Sequence, residues 1–208
     1  MSAMAAYESG LRAGGGCHVS LGGGEFVELP IRRWLDAADP TDELVLDLCQ
    51  GPTLDVGCGP GRLTVSLAQR GVAALGLDVS AEAVRIARAR GAQVHHGDVF
   101  GNVPMVGSWQ HVLLADGNIG IGGSPVRLLR RVRELMAGSG SVVVDVEAPG
   151  HGIRHGRLQV QAHGHRGWVR WAHVGVDSMP TVASRAGLMV TAERSLGVER
   201  HVVELRPR

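Results

Sequence analysis

Between residues 53 and 146 the chain alternates short apolar runs with segments whose apolar residues recur every three to four positions. Residues 53–56, 73–77, 93–96, 111–115 and 141–146 read as strands, since brief apolar runs bounded by turn residues suit buried strands. Residues 62–69, 81–90 and 126–136 carry the helical period, with Ser80 placed to cap the second of them. Strands that alternate with helices build right-handed βαβ units and a parallel sheet covered on both faces. The expected fold class is therefore α/β, doubly wound.

Beyond Pro149 the rhythm changes. Residues 157–162 and 168–172 alternate like the arms of a small inserted hairpin, with Gly164 and Gly167 near its turn. Residues 179–186 read as a short helix before Gly187, and 189–196 with 202–205 as a closing antiparallel pair. Upstream, Asp39 is placed to cap a helix with Pro40 at its first position and Asp42 and Glu43 at the positive end of its dipole. Leu44, Val45, Leu48 and Cys49 would form its apolar face, and Gly51 would end it. Residues 1–38 are interrupted by Gly14 to Gly16 and Gly22 to Gly24, so they read as a mobile lead-in or lid with a small hairpin across 18–29. The domain proper is expected over 39–208.

Composition narrows the chemistry. A chain of 208 residues fits one sizeable core. All 21 basic residues are arginine, so no lysine is present to form a Schiff base or to reach a nucleotide phosphate from a Walker A loop. Residues 147–208 hold 9 Arg against 5 acids, an excess too scattered for a polyanion footprint, and aromatic residues for stacking on bases are few. No nucleic-acid partner is expected. Cys17, Cys49 and Cys58 show neither a disulfide framework nor a zinc pattern. No apolar stretch approaches the ~18 residues of a membrane span, and a cytoplasmic protein is expected.

The strongest signal is the run Thr53-Leu-Asp-Val-Gly-Cys-Gly-Pro-Gly-Arg-Leu. Asp55 lies near the end of a strand, and Gly57, Gly59 and Gly61 open the following helix. In a doubly wound sheet ligands sit beyond the carboxyl ends of the strands, where glycines allow close approach to the backbone. Asp78 ends the second strand, 17 residues after Gly61, where a carboxylate can accept both hydroxyl hydrogens of a ribose. Asp98 follows the third strand, and Asp116 and Asn118 follow the fourth. Four successive strand ends carry a polar group on one rim.

On these residues the chain resembles the class I S-adenosylmethionine-dependent methyltransferases, of small-molecule type, across about residues 39–205. The resemblance implies a mostly parallel seven-stranded sheet whose antiparallel C-terminal hairpin supplies strands six and seven. It implies S-adenosyl-L-methionine as cofactor. Asp55, Gly57, Cys58, Gly59 and Gly61 would border its methionine, Asp78 with Val79 its ribose, and Asp98 with Val99 its adenine. Ala115, Asp116 and Asn118 sit where the family's fourth motif borders the reacting methyl group, which makes Asp116 and Asn118 the catalytic candidates. Residues 116–123 lack the Asn/Asp-Pro-Pro-aromatic motif of members that methylate amino groups of nucleobases or glutamine. The spacing also departs from a dinucleotide fingerprint, because only Pro60 separates Gly59 from Gly61.

Methyl transfer from a sulfonium is an in-line displacement, in which the protein chiefly aligns the nucleophile and excludes water. An acceptor that must lose a proton is helped by a base, for which Asp116, His95 and His96 are candidates. Asn118 could hold the acceptor by its amide. His151, His155, His163 and His165, with Trp168 and Trp171, read as pocket lining or as an edge hairpin, and no metal site is expected. Tyr7, Arg12 and Trp34 would belong to a lid, and Trp109, Trp168 and Trp171 are the rings to test at the acceptor. The expected activity is methyl transfer to a small-molecule acceptor. The alternatives are a catalytically silent cofactor-binding module and an NAD-linked oxidoreductase.

Overall fold

The computed structural model describes residues 2–22, 24–196 and 200–208; Gly23, one of the glycines taken as helix breakers, lies outside them. The N-terminal segment carries more regular structure than its glycines suggest. Helix α1 (Ala3–Ala13) is capped by Ser2, whose side chain accepts the Ala5 N–H, and it ends at Gly14 in the left-handed conformation. Alanine-rich sequence favours this helix, and Gly10 within it has a packing role: a Cβ there would stand 2.7 Å from that of Cys17. Strands β1 (His18–Leu21) and β2 (Val27–Glu28) pair antiparallel, which matches the expected hairpin. A short helix, α2 (Ile31–Leu35), follows.

Helix α3 (Pro40–Leu46) begins at Asp39 with a capping box, in which Asp39 and Asp42 each accept the other's backbone N–H. Its buried apolar residues are Val45 and Leu46, whereas Leu44, expected to face inward, is exposed. The central sheet then assembles from β3 (Thr53–Val56), β4 (Ala74–Asp78), β5 (Val94–His96), β6 (Trp109–Leu114) and β7 (Met136–Val146). Helices α4 (Arg62–Gln69), α5 (Ala81–Ala89) and α6 (Pro125–Leu135) form the crossovers. The first strand of this set is buried along its whole length, as expected when both faces of a sheet are covered.

After β7 the chain leaves to form β8 (Ile153–Ala162) and β9 (His165–Val174). It returns through helix α7 (Met179–Arg185) to β10 (Leu188–Leu196) and β11 (Arg200–Pro207). The resulting order is β10-β11-β7-β6-β3-β4-β5, with the two C-terminal strands antiparallel. This is the mostly parallel seven-stranded sheet that the sequence implied.

The inserted hairpin is larger than expected. Its arms reach ten residues each, and β1 pairs with β8 to make a second sheet, β2-β1-β8-β9. The N-terminal segment is thereby built into the fold. Helix α1 lies against β9 so closely that a Cβ on Gly167 would stand 2.1 Å from the Ala3 nitrogen. Ala6, Leu11, Cys17 and Ile31 share an apolar cluster with Ala83 of α5 and with Val160 and Ala162 of β8. Burial of these side chains joins the segment to the second sheet and to α5. Among the described residues no helix is long and apolar enough to cross a membrane.

Candidate active site

The carboxyl ends of β3 and β4 are locked together by hydrogen bonds. Gly57 and Cys58 donate their N–H groups to the Leu77 carbonyl, and Gly59 donates to Asp78 Oδ2 at 2.8 Å. Asp78 Oδ1 accepts the Ser80 N–H, so one carboxylate orders both the glycine loop and the start of α5. The left-handed turns at Gly57, Gly59 and Gly61 are ones that side chains resist. Gly61 also brings α4 onto α5, since a Cβ there would be 2.8 Å from that of Ala87.

Asp55 is buried and accepts the Thr64 hydroxyl at 2.7 Å. Burial raises its pKa to about 7; the Thr64 bond opposes that rise, and the charges of Asp116 and Asp78 add to it. Burial likewise pushes the Asp78 carboxyl up, against the hydrogen bonds from Ser80 and Gly59. After β5, Asp98 accepts the Phe100 N–H, beside buried Val99.

At the end of β6 the backbone turns sharply, with Asp116 at a φ of 51°. Its carboxylate accepts from Arg33 at 2.8 Å and from Arg62 at 2.5 Å, and its N–H donates to Asp145 Oδ2. The Asn118 amide nitrogen donates to the carbonyls of Val56 and Gly57 at 2.9 and 3.0 Å. The two expected catalytic side chains thus tie loops together. Behind them, Asp42 lies fully buried and receives Arg33, Arg62 and Arg200. The sequence reading missed this network, because its partners are separated by up to 158 residues.

These strand ends open on a cavity of about 410 Å³, within the usual range for small-molecule sites. Asp55, Gly57, Cys58, Gly59, Asp78, Val79, Asp98, Val99, Ala115, Asp116 and Asn118 all line it, while Gly61 stands behind the lining as the cap of α4. Its opposite wall comes from the N-terminal segment and the second sheet. Met4 and Tyr7 of α1, Val19 of β1, Trp34 of α2, Leu158 of β8 and Trp171 of β9 all face it. Burial raises the Tyr7 phenol, reinforced by the charge of Asp78. The Trp34 Nε1 is buried without a protein partner among the described residues.

Several expected lining residues lie elsewhere. Trp168 and Trp171 are an odd number of residues apart on one strand and so point to opposite faces; Trp171 lines the cavity, while Trp168 is exposed near Arg157. Trp109 is a core residue whose indole N–H donates to the Pro104 carbonyl. His95 and His96 contact the carbonyls of Asn102 and Val79, and His155 and His163 those of Gly123 and Gly15. Neither His165 nor Arg12 lines the cavity. The histidine that does, His173, was overlooked, although it shares the face of Trp171 by the same alternation.

A doubly wound sheet with a reversed final strand, a glycine loop after its central strand and acids at the neighbouring strand ends defines a nucleoside-cofactor-binding α/β enzyme. Residues 53–140 match the family described as "Methyltransferase domain". That stretch runs from β3 into β7 and holds the glycine loop and all four acidic strand ends, the residues on which the chain resembles the class I S-adenosylmethionine-dependent methyltransferases. Among solved structures it is similar to a SAM-dependent methyltransferase from Bacteroides fragilis in complex with S-adenosyl-L-homocysteine. That similarity has a TM-score of 0.82 and 17% identity, and covers 99% of this chain and 94% of the other. The CcbJ methyltransferase from Streptomyces caelestis superposes at a TM-score of 0.63 with 16% identity, over 84% and 92% of the two chains. A 1,6-didemethyltoxoflavin-N1-methyltransferase from Burkholderia thailandensis gives 0.60 and 16%, over 84% and 80%. A search of curated protein sequences finds no significant match.

Proposed function

We propose that this chain is an S-adenosylmethionine-dependent methyltransferase acting on a small, largely apolar acceptor held in the cavity. In this reading residues 2–38 form a lid on a catalytic domain over 39–208, whose own strands β8 and β9 complete the roof. The supporting observation is the cavity itself: the rim expected to take the cofactor is roofed by apolar side chains of α1, β1, β8 and β9, and a roofed chamber suits a metabolite better than a polymer. The Burkholderia neighbour was solved with bound 1,6-didemethyltoxoflavin, itself a small molecule.

The residues fit S-adenosylmethionine. The left-handed glycines expose their backbone to the cavity; at Gly59, a lining residue, a Cβ would intrude toward the opposite wall and meet the Tyr7 hydroxyl at 3.4 Å. Asp55, Gly57, Cys58, Gly59 and Gly61 would hold the methionine end. Asp78, with Val79 beside it, would accept the ribose hydroxyls through lone pairs left over from its backbone bonds. Asp98 and Val99 would flank the adenine. Asp116, Asn118 and Ala115 would border the transferring methyl group, as positioning residues. The bound cofactor supplies a methyl group already activated by its sulfonium. Alignment and exclusion of water are then the protein's share of the catalysis.

Three free cysteines accord with a reducing cytoplasm. Isothermal titration with S-adenosylhomocysteine tests the reading, with binding expected to weaken at least tenfold in Asp78→Ala, about 1.4 kcal/mol. Absence of heat and of thermal shift with the wild-type protein would overturn it.

A further inference from the structure

The roof of the cavity brings an imidazole that the strand ends leave unused. On β9, Val169, Trp171 and His173 share the face turned to the cavity. His173 Nδ1 lies 2.5 Å from Glu147 Oε1, just after β7. The other carboxylate oxygen accepts from His151 at 2.9 Å and from Arg154 at 2.7 Å. Glu147 is itself fixed by its backbone, which donates to the Val174 carbonyl and accepts the Val176 N–H. Burial pushes its carboxyl up, but the bonds from His151 and Arg154 and the charge of His173 outweigh this and hold it below the usual range.

His173 Nδ1 sits against the Glu147 carboxylate as a charge contact whose angle is not that of a hydrogen bond, and the remaining ring nitrogen, Nε2, has no protein hydrogen-bond partner among the described residues. Glu147 just after β7 contacts the ring, Arg154 is its strand partner on β8, Asp145 shares the second pocket's lining with it, and Asp116 and Asn118 share that of the main cavity. A second pocket of about 130 Å³, bordered by Asp145 and Glu147, shares Gly117 and His173 with the lining of the main cavity. It has room for about four waters and offers a proton a way out.

Resting on the acceptor chamber proposed above, we infer that His173 is the general base of the reaction, oriented by Glu147, and that the acceptor reacts through a hydroxyl. The observations favour it over the other polar groups. Asp116 is held by two guanidinium groups, and the Asn118 amide nitrogen is spent on carbonyls. Arg62, the guanidinium on the wall, is engaged by Asp42 and Asp116, so the described lining has no free cation for a carboxylate or phosphate. Met4, Val19, Leu29, Leu158 and Val169 offer apolar contact. An ammonium would have to be desolvated against this wall, whereas a hydroxyl enters uncharged.

A neutral hydroxyl is a weak nucleophile and gains most from losing its proton as it attacks. The new O–CH3 bond forms as the S–CH3 bond breaks, and the bonding pair stays on sulfur to give the neutral thioether. The hydroxyl proton passes to His173 Nε2. Glu147 balances the imidazolium until the proton leaves to water.

Two measurements test the inference. Nitrogen NMR of the histidine rings in the S-adenosylhomocysteine complex should show neutral His173 protonated on Nδ1, with the other tautomer gaining population in Glu147→Gln. Deuteriomethyl transfer is then followed by mass spectrometry with 1-naphthol, catechol and benzylamine as probes. Methylation of a hydroxyl probe is expected. His173→Asn should slow it about 10²-fold or more and remove the acid limb of the pH–rate profile, with S-adenosylhomocysteine affinity and melting temperature unchanged. An Nε2–H tautomer, an unslowed His173→Asn, or transfer to benzylamine alone overturns the inference, and the tautomer decides it if no probe is methylated. Failure of the wild-type protein to bind S-adenosylhomocysteine would instead sink the functional reading beneath it.

Discussion

Arg33 of α2 donates to Asp116 Oδ1 at 2.8 Å, which ties the N-terminal segment to the loop after β6. The same guanidinium reaches Asp39 and Asp42, and Arg62 and Arg200 converge on Asp42 from α4 and β11. Parts of the fold far apart in the chain therefore meet on one carboxylate.

The partners of Asp42 are unequal in burial. Arg62 is 3% exposed and Arg33 is 35% exposed. Removing Asp42 strips the buried Arg62 of a counter-ion, and breaking such a pair from one side costs about 3–5 kcal/mol. Arg33→Ala removes a partly solvated partner, for which about 1 kcal/mol or less is expected. Urea unfolding of both variants compares them, and an Asp42→Ala loss no larger than that of Arg33→Ala would count against a central role for Asp42.

A second prediction separates backbone strain from site geometry. Gly57 and Gly71 both have left-handed φ values, 74° and 77°. Alanine at either should cost about 1–2 kcal/mol from conformation alone. A Cβ at Gly71 meets nothing within 4 Å, whereas at Gly57 it meets the Asn118 amide nitrogen at 2.7 Å. Gly57→Ala should therefore weaken S-adenosylhomocysteine binding as well as stability, and Gly71→Ala stability only. Equal affinities for the two variants in calorimetry would refute the assignment.

The acidic strand ends were legible because parallel strands announce themselves locally, as short apolar runs that end on Asp55, Asp78, Asp98 and Asp116. Long-range pairing was not. Val19 pairs with Val160, and nothing near either residue in sequence specifies the other. The glycines read as interruptions begin at Gly14, where α1 in fact ends; the helix before them went unread, and Gly10 inside it packs closely on Cys17. Side-chain direction on β9 was readable and was misjudged: strict alternation pairs Trp171 with His173, not with Trp168.

Asp55 makes stability depend on pH. Its carboxyl titrates near 7 in the folded chain because of burial, against about 3.9 in an unfolded one. Between these values the folded state binds more protons than the unfolded state, so this contribution is fully present below pH 4 and lost as pH rises through 7. The loss is on the order of 4 kcal/mol. Asp55→Asn keeps an acceptor for the Thr64 hydroxyl and removes the titration. Relative to wild type it should gain stability from pH 5 to pH 8 in urea unfolding. A flat difference would show that Asp55 titrates in its ordinary range, and one of opposite sign that the fold lowers its pKa instead.

The four tryptophans provide an internal reporter of the chamber. Trp34 and Trp171 line the cavity, Trp109 is sealed in the core, and Trp168 is 45% exposed on the outer face of the second sheet. A ligand filling the chamber alters the surroundings of the first two alone. S-adenosylhomocysteine should therefore change the intrinsic emission of the wild-type protein and of Trp168→Phe by the same amount. The change should fall in Trp34→Phe, where an indole N–H left without a protein partner is removed from the wall. Titration of the three proteins at one excitation wavelength decides the matter, and a signal that disappears with Trp168 would place the ligand outside the chamber.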